Sequence, residues 1–291
     1  MVLTHERGPD MPHDTVALVT GANAGMGRAS ATALARQGAT VVLVCRDPGK
    51  GAEARRAIAH ETGNPAIELL IADLASQGAI REVARQFRER HDRLHILVNN
   101  AGAHIQERRL SPDGIELNLA VNHLAAFLLT NLLLDTLRAS APARIVNVAS
   151  ASMTTTIDPT DLQSARAFVP FEAYGRAKLA TVLCTYALAR RLAGSGVTVN
   201  ALHPGITATG IVDDVAPPLA RPFLGLIKRF LLTPEQGAQT ALYLATSPAV
   251  AGVSGKYFVR RKARRSVPIS YDVALQERLW ASSVALTGLT A

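Results

Sequence analysis

The chain is short of the residues that would staple, anchor or subdivide it. Only two of its 291 residues are cysteines, Cys45 and Cys184. They fall in a predicted strand end and a predicted helix and read as buried free thiols, not a disulfide or metal pair, which fits a reducing compartment. No stretch reaches the roughly 18 uninterrupted apolar residues of a membrane span. Met1 to Asp14 carries His5, Glu6, Asp10 and Asp14 where a signal peptide has its apolar centre. A cytoplasmic protein without a membrane span is expected. Internal repeats, low-complexity segments and Gly-, Ser- or Pro-rich linkers are lacking too, so nothing divides the chain. Charge is modest at 19% against 48% apolar residues, which excludes a disordered chain. The net charge of +8 owes five cations to one run, Arg260, Arg261, Lys262, Arg264 and Arg265. Such a run could hold nucleic acid, an anionic lipid surface or an acidic partner, but it reads first as a solvated loop. Without interleaved aromatics or a recognition helix no nucleic-acid partner is expected.

What is present is an alternation of two patterns. Val16 to Thr20, Thr40 to Cys45, Ala66 to Ile71, Leu94 to Val98, Arg144 to Val148, Val197 to Leu202 and Lys256 to Val259 are short apolar runs, as expected of parallel strands covered on both faces. Helical stretches separate them: Gly25 to Arg36, Lys50 to Glu61, Gln77 to Arg90, Asp113 to Leu137, Phe171 to Leu192 and Pro234 to Ala245. Right-handed crossovers turn this order into an α/β fold: a single-domain Rossmann-type doubly wound, mostly parallel seven-stranded sheet with helices on both faces. The expected organisation is an N-terminal tail (1–14), one α/β domain (15–260) and a C-terminal extension (261–291).

Thr20-Gly21-Ala22-Asn23-Ala24-Gly25-Met26-Gly27 follows the first strand and opens the first helix. Three glycines there let the chain turn tightly and let backbone N–H groups approach a pyrophosphate, to which the helix N-terminus adds positive partial charge. A ligand-free turn explains one glycine but hardly three. About 20 residues on, dinucleotide sites place an acid for the NAD ribose or an Arg for the NADP phosphate. Here the second strand ends Val44-Cys45-Arg46-Asp47, and Arg46 favours NADP over NAD. Asp47 could cap the next helix, pair with Arg46, or be the ribose-binding acid.

Tyr174 and Lys178 stand four apart on a predicted helix and share one face. A nearby ammonium would bring a tyrosine, with its ordinary pKa of about 10, closer to working pH for proton transfer. Such a pair alone is a common accident. The company it keeps is specific: the glycine turn, Asn99-Asn100-Ala101-Gly102 after the fourth strand, and Val146-Asn147-Val148-Ala149-Ser150 at the fifth. With these motifs the chain resembles the short-chain dehydrogenase/reductase family over nearly its whole length. Val121-Asn122-His123-Leu124, Asp161-Leu162-Gln163-Ser164, Leu202-His203-Pro204-Gly205 and Ser254-Gly255-Lys256-Tyr257-Phe258 resemble its retinol-dehydrogenase-like branch.

The resemblance implies an NADP(H)-dependent oxidoreductase interconverting an alcohol and a carbonyl. By it, Tyr174 is the general acid in reduction, Ser150 binds the substrate oxygen, Lys178 also holds the nicotinamide ribose, and Asn122 positions a proton-relay water. It also places Asp73, with Leu74 beside it, at the adenine, Asn100, Ala101, Gly102, Pro204 and Gly205 along the cofactor, Asn99 as a turn residue flanking it, and Thr209 at the carboxamide. A helix cap, a turn former and a surface hydroxyl are the plainer readings of Asp73, Asn99 and Thr209. Where the branch usually has two adjacent serines this chain has Ala149 and Ser150, leaving Ser152 as the reserve. A silent dinucleotide-binding regulatory protein would keep the glycine turn but has no need for Asn122, Ser150, Tyr174 and Lys178 together. The apolar segment 206–232, with Pro217, Pro218 and Pro222, reads either as a lid favouring an apolar substrate or as packing against core or subunit. The resemblance also implies pairing, as a homodimer or homotetramer, through the helices Asp113 to Leu137 and Phe171 to Leu192, with a monomer as the alternative.

Overall fold

The structure, a computed structural model, describes residues 14–205, 207 and 231–290. Apolar runs become strands because both their faces are covered. In β2 (Thr40–Cys45), Val41, Leu43 and Cys45 enter one apolar layer with Leu34 of α1 (Gly25–Arg36) and Leu244 of α8 (Pro234–Thr246). Val42 and Val44 enter the opposite layer with Phe87 of α3 (Gln77–Arg90) and Leu128 of α5 (Ala125–Leu132). A side-chain period of two between two covered faces leaves no polar face to alternate with. The remaining elements are β1 (Val16–Thr20), α2 (Pro48–Thr62), β3 (Ile67–Ile71), β4 (Ile96–Asn99), α4 (Leu117–Leu119), α6 (Leu134–Ala139), β5 (Ala143–Val148), α7 (Pro170–Arg191), β6 (Val197–His203), β7 (Tyr257–Val259), β8 (Lys262–Arg264) and α9 (Val273–Thr287).

The sheet runs β3-β2-β1-β4-β5-β6-β7-β8, parallel except where β8 returns against β7. The expected α/β doubly wound sheet is observed with eight strands, not seven. The eighth is the basic run. Val259 pairs with Lys262 across a turn in which Arg260 and Arg261 have φ of 49° and 63°. Two-residue hairpins require positive φ at both central positions, normally supplied by Asn or Gly, so each arginine holds this conformation at a cost of roughly 1–2 kcal/mol. A boundary at residue 260 would cut this hairpin in two.

Two further expectations change. The single helix over 113–137 is broken: α4 passes through a π turn, Ala120–Leu124, into α5, and the axis breaks again at Leu133 before α6. The extension ends in the unforeseen α9, whose Leu275 and Leu279 are buried against α7 and α5 in a cluster with Phe127, Leu183 and Cys184. Trp280 meets Phe127 edge-on, centroids 4.8 Å apart, and the Arg191 guanidinium lies 4.2 Å over its ring. The chain's own C-terminal helix therefore covers the part of α5 and α7 that carries Phe127, Leu183 and Cys184. Each such Leu buried contributes about 1.5–3 kcal/mol, enough to hold α9 in place.

Both cysteines are buried and free, as expected, and no helix among the described residues is long and apolar enough to cross a membrane.

Candidate active site

In the order β3-β2-β1-β4-β5 the strand sequence reverses between β1 and β4, and open α/β sheets bind ligands beyond the carboxyl ends of the strands at such a point. Gly21 follows β1, Arg46 β2, Asp73 β3, Asn100 β4, Ser150 β5 and Pro204 β6. The topology thus brings the expected residues to one edge.

The glycine turn is built for close approach. Gly21 and Gly25 have φ of 66° and 55°. A Cβ on Gly27 would lie 2.2 Å from the Gly21 carbonyl oxygen, and one on Gly21 3.1 Å from Ala101 Cα. Ala24 starts α1 without a side-chain cap, and Asn23 and Ala24 are not buried. By contrast Asp47, Ser76, Thr233 and Asp272 cap α2, α3, α8 and α9. Uncapped N–H groups at a glycine cradle fit a pyrophosphate. Met26 packs toward α8, where Gly237 leaves room: a Cβ there would be 2.8 Å from Met26 Sδ.

The β4 end braces this cradle. Thr20 Oγ1 accepts from the Asn100 and Ala101 amides, both at 3.0 Å, and Asn100 Nδ2 donates to the Thr20 carbonyl at 2.9 Å. Thr20 was not anticipated; only its place at the end of β1 could have signalled it. Asn99 is corrected from turn residue to last residue of β4. It is buried and donates to Thr130 Oγ1 at 2.9 Å and Asn147 Oδ1 at 2.8 Å, while Asn147 donates to Thr185 Oγ1 at 2.9 Å. This ladder ties β4 and β5 to α5 and α7.

At β2, Arg46 is exposed, and of its three readings Asp47 takes the cap: Oδ1 accepts from the Lys50 amide at 2.9 Å, which holds the carboxyl below its usual range. Asp73 Oδ1 accepts from the Ala75 amide at 3.0 Å, a local turn before the Ser76 cap, and Leu74 packs on the core. Gly205 has φ of 93°, and a Cβ there would strike Leu232 Cδ1 at 2.4 Å. Thr207 and Leu232 form a parallel bridge. Ile206 and 208–230, Thr209 among them, lie outside the described residues.

The reactive groups meet over α7. Tyr174 and Lys178 share its inner face, 7% and 2% exposed. Lys178 Nζ lies 5.8 Å from the Tyr174 ring centroid and donates to the Val148 carbonyl at 2.9 Å. Burial lowers the lysine to about 8. Burial also raises the Tyr174 phenol, and a hydrogen bond from Ser150 draws it partly back. Ser150 Oγ accepts from the Ser152 amide at 3.0 Å. Gly175 lets that segment press on α7, since a Cβ there would sit 2.5 Å from the Ser152 carbonyl oxygen. Sequence reasoning missed two supports. Tyr257 donates to the Ser150 carbonyl at 3.1 Å, and His203 Nδ1 accepts from the Ala151 amide at 3.1 Å. Both stand in quoted motifs, but only the parallel pairing of β6 and β7 brings them there.

Asn122 sits in the π turn, a feature often found at functional sites. Its amide clasps Ala103 through both atoms, at 2.7 and 3.1 Å, and Thr181 Oγ1 donates to its carbonyl at 3.0 Å. A Cβ on Gly102 would be 2.8 Å from Asn122 Oδ1 and 3.2 Å from Lys178 Nζ, so these groups converge on one glycine.

A buried tyrosine beside a buried ammonium, at the mouth of a dinucleotide-type sheet, defines an oxidoreductase site that moves a proton at oxygen. The chain belongs to the short chain dehydrogenase family, whose model matches residues 15–219, and within it is an NAD(P)-dependent alcohol dehydrogenase acting on CH–OH donors. It is 42% identical to human retinol dehydrogenase 14, covering 97% of this chain and 88% of that protein. It is 40% identical to human polyprenol dehydrogenase, covering 95% and 86%. Among solved structures, an uncharacterised protein of Mycobacterium paratuberculosis superposes with a TM-score of 0.76 at 30% identity, covering 96% and 95% of the two chains. A protein assigned as an NAD(P)-dependent gluconate 5-dehydrogenase from Beutenbergia cavernae, with NADP bound, superposes with a TM-score of 0.69 at 30% identity, covering 87% and 97%.

Proposed function

We propose that the enzyme uses NADP(H) to interconvert an apolar alcohol and its carbonyl. The observation that carries the mechanism is the convergence of the Tyr174 phenol, the Ser150 hydroxyl and the Lys178 ammonium beside the glycine cradle. A bound nicotinamide supplies or accepts the hydride. Ser150 donates to the substrate oxygen, Tyr174 gives it a proton in reduction or takes one in oxidation, and Lys178 makes the phenolate less costly. Asn122 holds the Gly102–Ala103 main chain against this group and so positions the water that returns the proton. Ser150→Ala should lower kcat/KM far more than Ser152→Ala, because only Ser150 stands in the family's substrate-binding register. The reverse ranking, measured at saturating cofactor, would move the substrate contact to Ser152.

NADP is supported by the exposed Arg46 guanidinium and by Asp47, whose carboxylate is engaged as the cap of its own helix. Arg46→Asp should raise KM for NADPH much more than for NADH; a wild type that prefers NADH would refute the assignment. The apolar substrate rests on the composition of 206–232 and on relatives that are retinol and polyprenol dehydrogenases. In a homologous aldehyde series kcat/KM should rise with chain length by up to about fourfold per methylene, the ratio for about 0.8 kcal/mol, until the pocket fills. A flat series, or best activity on a polyhydroxylated carbonyl, would defeat the substrate reading and leave the enzyme class standing. A cytoplasmic location belongs to the same proposal, supported by the two buried free thiols.

A further inference from the structure

The β7–β8 hairpin puts Arg260, Arg261, Lys262, Arg264 and Arg265 on one exposed edge of the sheet. Among the described residues none of the five takes part in an ion pair, although acids elsewhere are used in pairs, such as Glu277 with Arg190 at 2.7 Å. The two tip residues are arginines in left-handed conformations where Asn or Gly would be relaxed. The tip is also fastened: the Arg261 amide donates to Thr240 Oγ1 at 3.2 Å. Apolar surface adjoins the charges. The Arg265 guanidinium lies 5.5 Å over the Tyr271 ring, and Tyr271 and Val273 are 41% and 54% exposed. Asp272 between them is occupied as the α9 cap, accepting from the Leu275 amide at 3.0 Å.

The tip of the hairpin reaches the mouth of the site, and the rest of the patch runs down the adjoining sheet edge. Val259 pairs with His203, the residue that holds Ala151, and the Arg260 charge reaches that histidine. We propose that this hairpin docks the enzyme on an anionic lipid surface, its cations against headgroups and Tyr271 and Val273 at the interface, with the catalytic opening turned toward the bilayer. Charge complementarity and the aromatic–cation mixture favour lipid over a second copy of this chain, whose identical edge would oppose like charges. The docking goes beyond the substrate reading and does not depend on it, since it is tested without turnover.

The test is co-sedimentation of the full chain with phosphatidylcholine vesicles, with and without about 30 mol % phosphatidylserine. Wild type is expected to pellet only with the anionic vesicles and to be released as salt shortens the Debye length below about 8 Å. Each cation near such a surface contributes roughly fivefold to binding, so Lys262→Ser with Arg264→Ser should weaken it about 25-fold. An unchanged melting temperature and unchanged turnover of a water-soluble carbonyl would show that the variant is folded. Equal binding to neutral vesicles, undiminished binding by the folded double variant, or capture by nucleic acid with no vesicle binding would each overturn the proposal.

Discussion

Tyr174→Phe is expected to lower turnover at least about a hundredfold while cofactor affinity, followed by fluorescence titration, stays near wild type. General acid–base catalysis contributes about 10² to 10⁴, equivalent to roughly 3–5 kcal/mol of barrier. Phenylalanine keeps the ring that packs 5.4 Å from His104 and beneath the Lys178 ammonium. The loss is then of the hydroxyl alone and not of the fold. Burial holds the phenol protonated in the cofactor-free protein, so the acid is ready for reduction. Near-normal single-turnover rates in the variant would remove Tyr174 from the chemistry.

Lys178→Met should have the next largest effect and a different pH signature. Methionine keeps much of the volume, and removing the positive charge is expected to raise the Tyr174 phenol further. Alcohol oxidation, which needs the phenolate, should fall by about 10- to 1000-fold near neutral pH and recover part of that as pH rises. The same residue predicts a stability profile. Its folded pKa, about 8, lies below the ordinary value of 10.5, so between these values the unfolded chain binds more protons. Stability of the cofactor-free wild type should therefore rise across that window as the cost of a buried cation is relieved. Thermal melts of Lys178→Met should lack this rise. Identical pH profiles for the two proteins would mean that the ammonium does not act on Tyr174.

Much of the site could be read from residues that are close in sequence. Gly21, Gly25 and Gly27 act within one turn, and Tyr174 and Lys178 are one helical turn apart, so local periodicity places them. The basic run was misjudged because its pairing partner, β7, is too short to declare a hairpin and its turn residues are arginines, which carry no turn signal. The helix α9 escaped because its apolar residues match partners on α7 and α5, and only that match makes it part of the core.

By itself the sequence determined the class of fold, the cofactor turn, and the residue types at the reacting centre, since these rest on runs and spacings that any parallel sheet converts in the same way. Tertiary structure decided the rest. Parallel pairing of β1 to β6 collected six strand ends at one edge, and the reversal of order between β1 and β4 opened the crevice there. Burial set the protonation tendencies of Tyr174 and Lys178. Packing against α7 and α5 made α9 part of the core. The pairing of β6 with β7 brought Tyr257 and His203 to the backbone around Ser150. Each depends on contacts between residues tens of positions apart, which a local pattern does not encode.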